Sequence, residues 1–222
     1  MNRYLERFLD SWYGYSRAPG TGAVMSSPLR RVCLVNALRL IHNGDVGIFR
    51  PTTAKGRWIV RFGRHWASHV AMFVKLDGRL SMAEQTEPKG RIVGAEGYLR
   101  SLPSGTVAVY RPRWVNRYQR LKAVRWMLEN VPGTPYDKKG LWRAFWSHAP
   151  FVRFWLRPNW DDESNGDRKS LYCSAAVSRA MRVGGLDPVH GLGDRWTEPG
   201  DLAKSAALVR QFEIVLSEEE VR

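Results

Sequence analysis

Cysteine is nearly missing from this chain: there are two thiols, Cys33 and Cys173, in 222 residues. Two thiols cannot build a disulfide framework or fill a four-thiolate zinc site. No stretch reaches the ~18 uninterrupted apolar residues of a membrane-spanning helix, which excludes a helical spanning protein. Acidic residues are in deficit, 21 against 35 Lys and Arg, leaving a formal charge of +14. There are no internal repeats and no low-complexity blocks, which excludes solenoids and fibrous arrays. Arg3, Glu6, Arg7 and Asp10 interrupt the apolar positions of the first 25 residues, so no secretory signal is read there. The expected location is therefore cytoplasmic as synthesised, with release or delivery to the cell envelope.

What is present is core material. Hydrophobic residues make up 44 % of the chain and aromatics 12 %, including ten Trp. That supply, at this length, fits one packed domain and argues against disorder. The basic excess attracts polyanions: an acidic cell-wall polymer, an anionic membrane surface or nucleic acid, the last being the weakest of the three because no long Lys/Arg run exists.

Periodicity divides the chain. Residues 2–15 carry Tyr4, Leu5, Phe8, Leu9 and Trp12 at helical spacing. A second helix is expected over 28–42, with Leu29, Val32, Cys33, Ala37, Leu40 and Ile41 on its apolar stripe and Asn43-Gly44 as its stop. Short strands are expected over 46–49, 57–62, 69–74, 80–84 and 106–110. Asp77-Gly78 reads as a hairpin turn. A helix over 115–129, another over 171–183, a short one near 199–205 and a strand over 208–215 complete the pattern. Between them lie an aromatic and arginine-rich segment at 141–168, polar over 159–168. Helices, then strands, then helices give an α+β domain. The expected division is a helical extension over 1–43 and a catalytic domain over 44–222.

Cys173 falls in the predicted first turn of the 171–183 helix. Unpaired amides and the positive helix end favour a thiolate there and can also hold an oxyanion. Cys33, on a helical stripe, reads as a core residue. Among the five histidines, His69 opens an apolar strand, the rim position at which sites are commonly built. If Asp77-Gly78 makes a two-residue turn, Leu76 faces Arg79 and His69 faces Thr86. Glu84 is then a diagonal neighbour of His69 on the same face. Cys173 as nucleophile, His69 as base and Glu84 as the group that orients the imidazole suit acyl transfer. No cofactor is implied. His65 and His69, four residues apart in a loop entering a strand, do not have metal-ligand spacing, and Asp161-Asp162-Glu163 does not have that of a calcium loop.

These residues sit in a series of short motifs: Gly44-Asp45-Val46-Gly47-Ile48-Phe49, Ser68-His69-Val70-Ala71-Met72-Phe73, Ala83-Glu84, Gly133-Thr134-Pro135-Tyr136-Asp137, Tyr172-Cys173-Ser174 and Thr197-Glu198-Pro199-Gly200-Asp201-Leu202. In this order the chain resembles the circularly permuted papain-like cysteine hydrolases of the NlpC superfamily, in the YiiX/YebB-like branch. The resemblance covers about residues 44–205. It implies a permuted papain-like fold, an antiparallel sheet or small barrel against helices. It implies Cys173 and His69 as the catalytic pair, Glu84 as the third polar residue, and Ser68, Tyr136 and Tyr172 as residues near the substrate. Residues 1–43 and the 141–168 segment stand outside the recognised pattern.

Three functions follow as expectations. One is a thiol hydrolase cleaving amide bonds in cell-wall peptides. Another is a cysteine esterase or acyltransferase acting on lipids at a membrane surface. The third is a non-catalytic basic module that binds a polyanion.

Overall fold

The computed structural model describes residues 30–63, 65–113, 116–146 and 170–217. Seven strands form one sheet: β1 (Arg31–Cys33), β2 (Val46–Phe49), β3 (His69–Leu76), β4 (Arg79–Glu84), β5 (Arg91–Gly94), β6 (Val107–Pro112) and β7 (Leu208–Val215). Their spatial order is β1-β7-β6-β2-β3-β4-β5. The helices are α1 (Leu34–Leu40), α2 (Ala54–Gly63), α3 (Ala95–Arg100), α4 (Arg117–Asn130), α5 (Lys138–Trp146), α6 (Cys173–Val183) and α7 (Pro199–Lys204), with a 3-10 turn at Asp194–Trp196. The α+β class expected from the pattern is the class observed.

An interior strand explains the layering. In β3, Val70, Ala71, Met72, Phe73 and Val74 are all buried, as expected for a strand covered on both faces. On one face Val70, Met72 and Val74 join Val46, Ile48 and Ala83 under α4 (Val124, Met127, Leu128) and α6 (Ala176, Val177, Ala180). On the other face Ala71 and Phe73 join Phe49, Met82 and Val109 under α1 (Leu34, Ala37) and α3 (Ala95, Leu99). The alanines of α6 leave no bulk between helix and sheet, so its first residue is held close to β3.

The turn between β3 and β4 is built as its residues dictate. Asp77 and Gly78 both have positive φ (51° and 73°), the backbone of a two-residue turn matched to strand twist. Leu76 pairs with Arg79 and Met72 with Ala83, the register expected. At the entry to β2, Asp45 is fully buried and receives Arg111 through Nε–Oδ1 (2.9 Å) and Nη2–Oδ2 (2.8 Å), and the His42 amide at 2.8 Å. That cluster fixes the entry into β2.

Several expectations are corrected. The helix expected over 28–42 is, where described, β1 followed by α1. Residues 31–33 lie beside β7, whose open edge takes them as a parallel strand (Val32 opposite Ile214). Cys33 is accordingly the buried end of a strand and not part of a helical stripe. The sheet is mixed at this edge and antiparallel elsewhere. Because β1 belongs to the sheet and Leu34, Ala37 and Ile41 are core, residues 30–43 are part of the main fold and not an extension. The strand expected over 57–62 is α2. Thr53 Oγ1 accepts the Gly56 amide at 3.1 Å, and the helix turns Arg57, Trp58 and Arg61 outward while Gly56 is buried. The adjacent apolar residues Trp58-Ile59-Val60 had imitated a strand. The helix at 2–15 and the polar segment at 159–168 lie outside the described residues.

Candidate active site

The site begins where α6 starts. Tyr172 is in extended conformation (φ −114°, ψ 170°) and no side chain caps the helix, so no side chain takes up its first-turn amides. The approach to the helix is pinned by neighbouring chain: Asp137 N–H donates to the Leu171 carbonyl (2.8 Å) and Leu171 N–H to that of Pro135 (3.2 Å). Cys173 is buried, 2 % exposed. Its sulfur shares a hydrogen bond with the His69 ring and accepts the amides of Val70 and Ser174.

His69 is the first residue of β3, and its ring lies 5.3 Å from that of Phe49. Its Nε2 is 2.7 Å from Oε2 of Glu84, which leaves Nδ1 as the nitrogen for the thiol. Glu84, 1 % exposed, is the diagonal neighbour that the hairpin register requires. Arg91 takes the other carboxylate oxygen, with Nε at 2.8 Å and Nη2 at 2.6 Å from Oε1. Arg91 is the direct cross-strand partner of Glu84, and its guanidinium lies 5.6 Å over the Tyr98 ring.

The electrostatics follow from this line of contacts. Burial pushes the Cys173 thiol up, but the His69 hydrogen bond and charge outweigh it, and with the two amides bring it below the ordinary thiol value of 9.0. Burial would lower His69, yet the Cys173 and Glu84 contacts carry it up to about 10. Burial would raise Glu84, and His69 and Arg91 hold it below the usual carboxylate range. A thiolate beside an imidazolium is the favoured state near neutrality.

Tyr136 completes the cluster, with its hydroxyl hydrogen-bonded to Cys173. Burial, followed by the charges of Cys173 and Glu87, pushes that hydroxyl far up, so it stays protonated as a donor. Its loop hangs on Gln85, whose Nε2 donates to the carbonyls of Thr134 (2.8 Å) and Pro135 (2.9 Å). The last residue of β4 and the one after it thus serve two purposes: Glu84 faces the imidazole and Gln85 carries the Tyr136 loop.

Of the six residues singled out from the sequence, the structure gathers Cys173, His69, Glu84 and Tyr136. It does not turn the other two hydroxyls toward them. Tyr172 is buried in the core and donates to the Arg195 carbonyl, with the Asp194 carbonyl 3.5 Å away. Ser68 Oγ donates to the Phe49 carbonyl at 3.4 Å. The Glu198–Asp201 part of the 197–202 motif caps α7, the Glu198 amide donating to Asp201 Oδ2 at 2.8 Å. Burial, with Asp201 beside it, pushes Glu198 up to about 8. Arg91 had no sequence signal, because its place depends on a β4–β5 pairing across the irregular segment 85–90. Among the described residues no group of three or more His, Cys, Asp or Glu is arranged to hold a metal ion.

Together these features define a mixed α+β domain with a helix-borne thiol set against an imidazole at the rim of its sheet. Among solved structures, the chain is similar in fold to the metalloprotein YiiX from Escherichia coli O157:H7. The likeness has a TM-score of 0.55 at 15 % identity and covers 78 % of this chain and 97 % of that one. The sequence matches no family model, and no curated protein matches it.

Proposed function

We propose that the protein is a cysteine hydrolase of the permuted papain-like kind, cleaving an acyl bond through a thioester intermediate. The observation that carries this reading is the hydrogen-bonded line from Cys173 through His69 to Glu84 at the start of α6. The chain order, His69 and Glu84 before Cys173, is the reverse of ordinary papain-like enzymes and agrees with permutation.

In this mechanism the Cys173 thiolate attacks the substrate carbonyl carbon, and the carbonyl π pair becomes an oxyanion. The Cys173 backbone N–H, at the positive end of α6, and the Tyr136 hydroxyl are the donors for that charge. The tetrahedral intermediate collapses to a thioester as the imidazolium of His69 gives its proton to the departing amine. A water molecule, deprotonated by the now neutral His69, then attacks the thioester and releases the acid and the thiolate. Glu84 stabilises the imidazolium in both half-reactions. No step requires a cofactor.

The substrate we favour is the amide of cell-wall peptides, whose carboxylates suit a basic protein. The test compares wild type with Cys173→Ala on purified peptidoglycan fragments and on phospholipid vesicles, with products read by mass spectrometry. Cysteine-dependent peptide cleavage supports the favoured substrate; cysteine-dependent release of fatty acid keeps the mechanism and changes the substrate to lipid. Turnover that survives Cys173→Ala overturns the mechanism.

A further inference from the structure

Two basic helices present tryptophan to solvent. The α2 helix (Ala-Lys-Gly-Arg-Trp-Ile-Val-Arg-Phe-Gly) and α5 (Lys-Lys-Gly-Leu-Trp-Arg-Ala-Phe-Trp) contain six Lys and Arg and no acidic residue. They pack on each other. On α2 the exposed positions are Arg57, Trp58 and Arg61; on α5 they are Lys138, Lys139 and Trp142. Trp58 is 59 % and Trp142 56 % exposed. Each helix therefore has one outward face of two cations and one indole within a single turn, while Gly56 and Leu141 are buried.

Two exposed arginines elsewhere are matched by acids on their own helix, Arg100 by Glu96 (2.9 Å) and Arg125 by Glu129 (3.0 Å), whereas α2 and α5 contain no acid to do so. On this face Lys138 pairs with Glu87 at 3.4 Å, an ion pair open to solvent. A half-exposed indole among exposed cations leaves apolar surface in water. The arrangement is favourable at a bilayer interface, where the indole sits at headgroup depth and the cations meet lipid phosphates. Charge alone would fit any polyanion; the paired tryptophans select a surface with an apolar layer beneath it.

We propose that α2 and α5 form a docking face for an anionic phospholipid bilayer, the bilayer surface being its sole occupant. Both helices adjoin residues next to the candidate site. Gly56 of α2 packs against Ser68, the residue before His69. The α5 helix begins two residues after Tyr136. This docking is independent of the chemistry proposed for Cys173.

The test is flotation of the full chain with vesicles of phosphatidylcholine alone and with added phosphatidylglycerol, with brominated acyl chains to quench tryptophan fluorescence. Wild type and Cys173→Ala are expected to float equally with the anionic vesicles, less at high salt, and not with phosphatidylcholine alone. Each of Arg57→Gln, Arg61→Gln and Lys139→Gln should weaken binding about fivefold. Trp58→Ala with Trp142→Ala should abolish most of the quenching, with circular dichroism and Cys173 labelling unchanged. As all these side chains are exposed, the variants retain the core. Absence of flotation overturns the proposal, as does binding indifferent to both tryptophans. Equal, tryptophan-independent binding to poly(U) would instead mark a face for soluble polyanions and overturns it too.

Discussion

Arg91 is the direct cross-strand partner of Glu84 and holds its Oε1 at 2.6–2.8 Å, on the oxygen that His69 leaves open. A buried carboxylate with one cation on each oxygen stays ionised, and an ionised Glu84 is what keeps the imidazole charged. The sign is that of a depressed carboxylate. The stabilisation is present above the ordinary value of 4.5 and is lost as pH falls through the lowered one. Arg91→Gln should therefore move the acid limb of Cys173 labelling upward by about one pH unit, with partial recovery in Arg91→Lys. An unchanged profile with only a lower melting temperature would make Arg91 purely structural.

Asp45 provides the contrast of a charge that holds the fold away from the thiol. It is fully buried, and Arg111 meets both of its oxygens while the His42 amide meets Oδ2. Asp45→Ala strands a largely buried guanidinium and should cost about 3–5 kcal/mol in urea unfolding. The exposed helical pair Glu96–Arg100 predicts the opposite extreme. Glu96→Ala should cost less than about 0.5 kcal/mol.

The site was more legible than some of the fold around it, for a physical reason. His69 and Glu84 are linked by a two-residue turn whose Asp-Gly sequence dictates its backbone, so their pairing could be counted from the turn. Cys173 was marked by a helix start. Arg91 and the Gln85–Tyr136 loop depend on contacts across irregular chain, which no local period encodes. Tyr172, next to Cys173 in sequence, turns its hydroxyl inward to the carbonyls of residues 194 and 195, a direction that no local pattern encodes. In the fold, the strand over 208–215 was read to its ends. β1 was read as helix because three residues carry no period of their own. Its strand state comes from the open edge of β7, a partner at the far end of the sequence.

The central claim is that His69 makes Cys173 a thiolate, and the most direct measurement is site-resolved alkylation. Wild type and His69→Gln are treated with iodoacetamide across pH, and labelling at Cys173 and Cys33 is read by peptide mass spectrometry. His69, raised to about 10, contributes its ion pair fully below the ordinary imidazole value of 6.5 and loses it as pH rises through about 10. Over that range Cys173 should label faster than Cys33, with a midpoint below the ordinary thiol value of 9.0. In His69→Gln only the Val70 and Ser174 amides oppose the burial of the thiol, and its midpoint should rise above that of wild type. If Cys173 labels no faster than Cys33, or its midpoint is the same in both proteins, the account is contradicted.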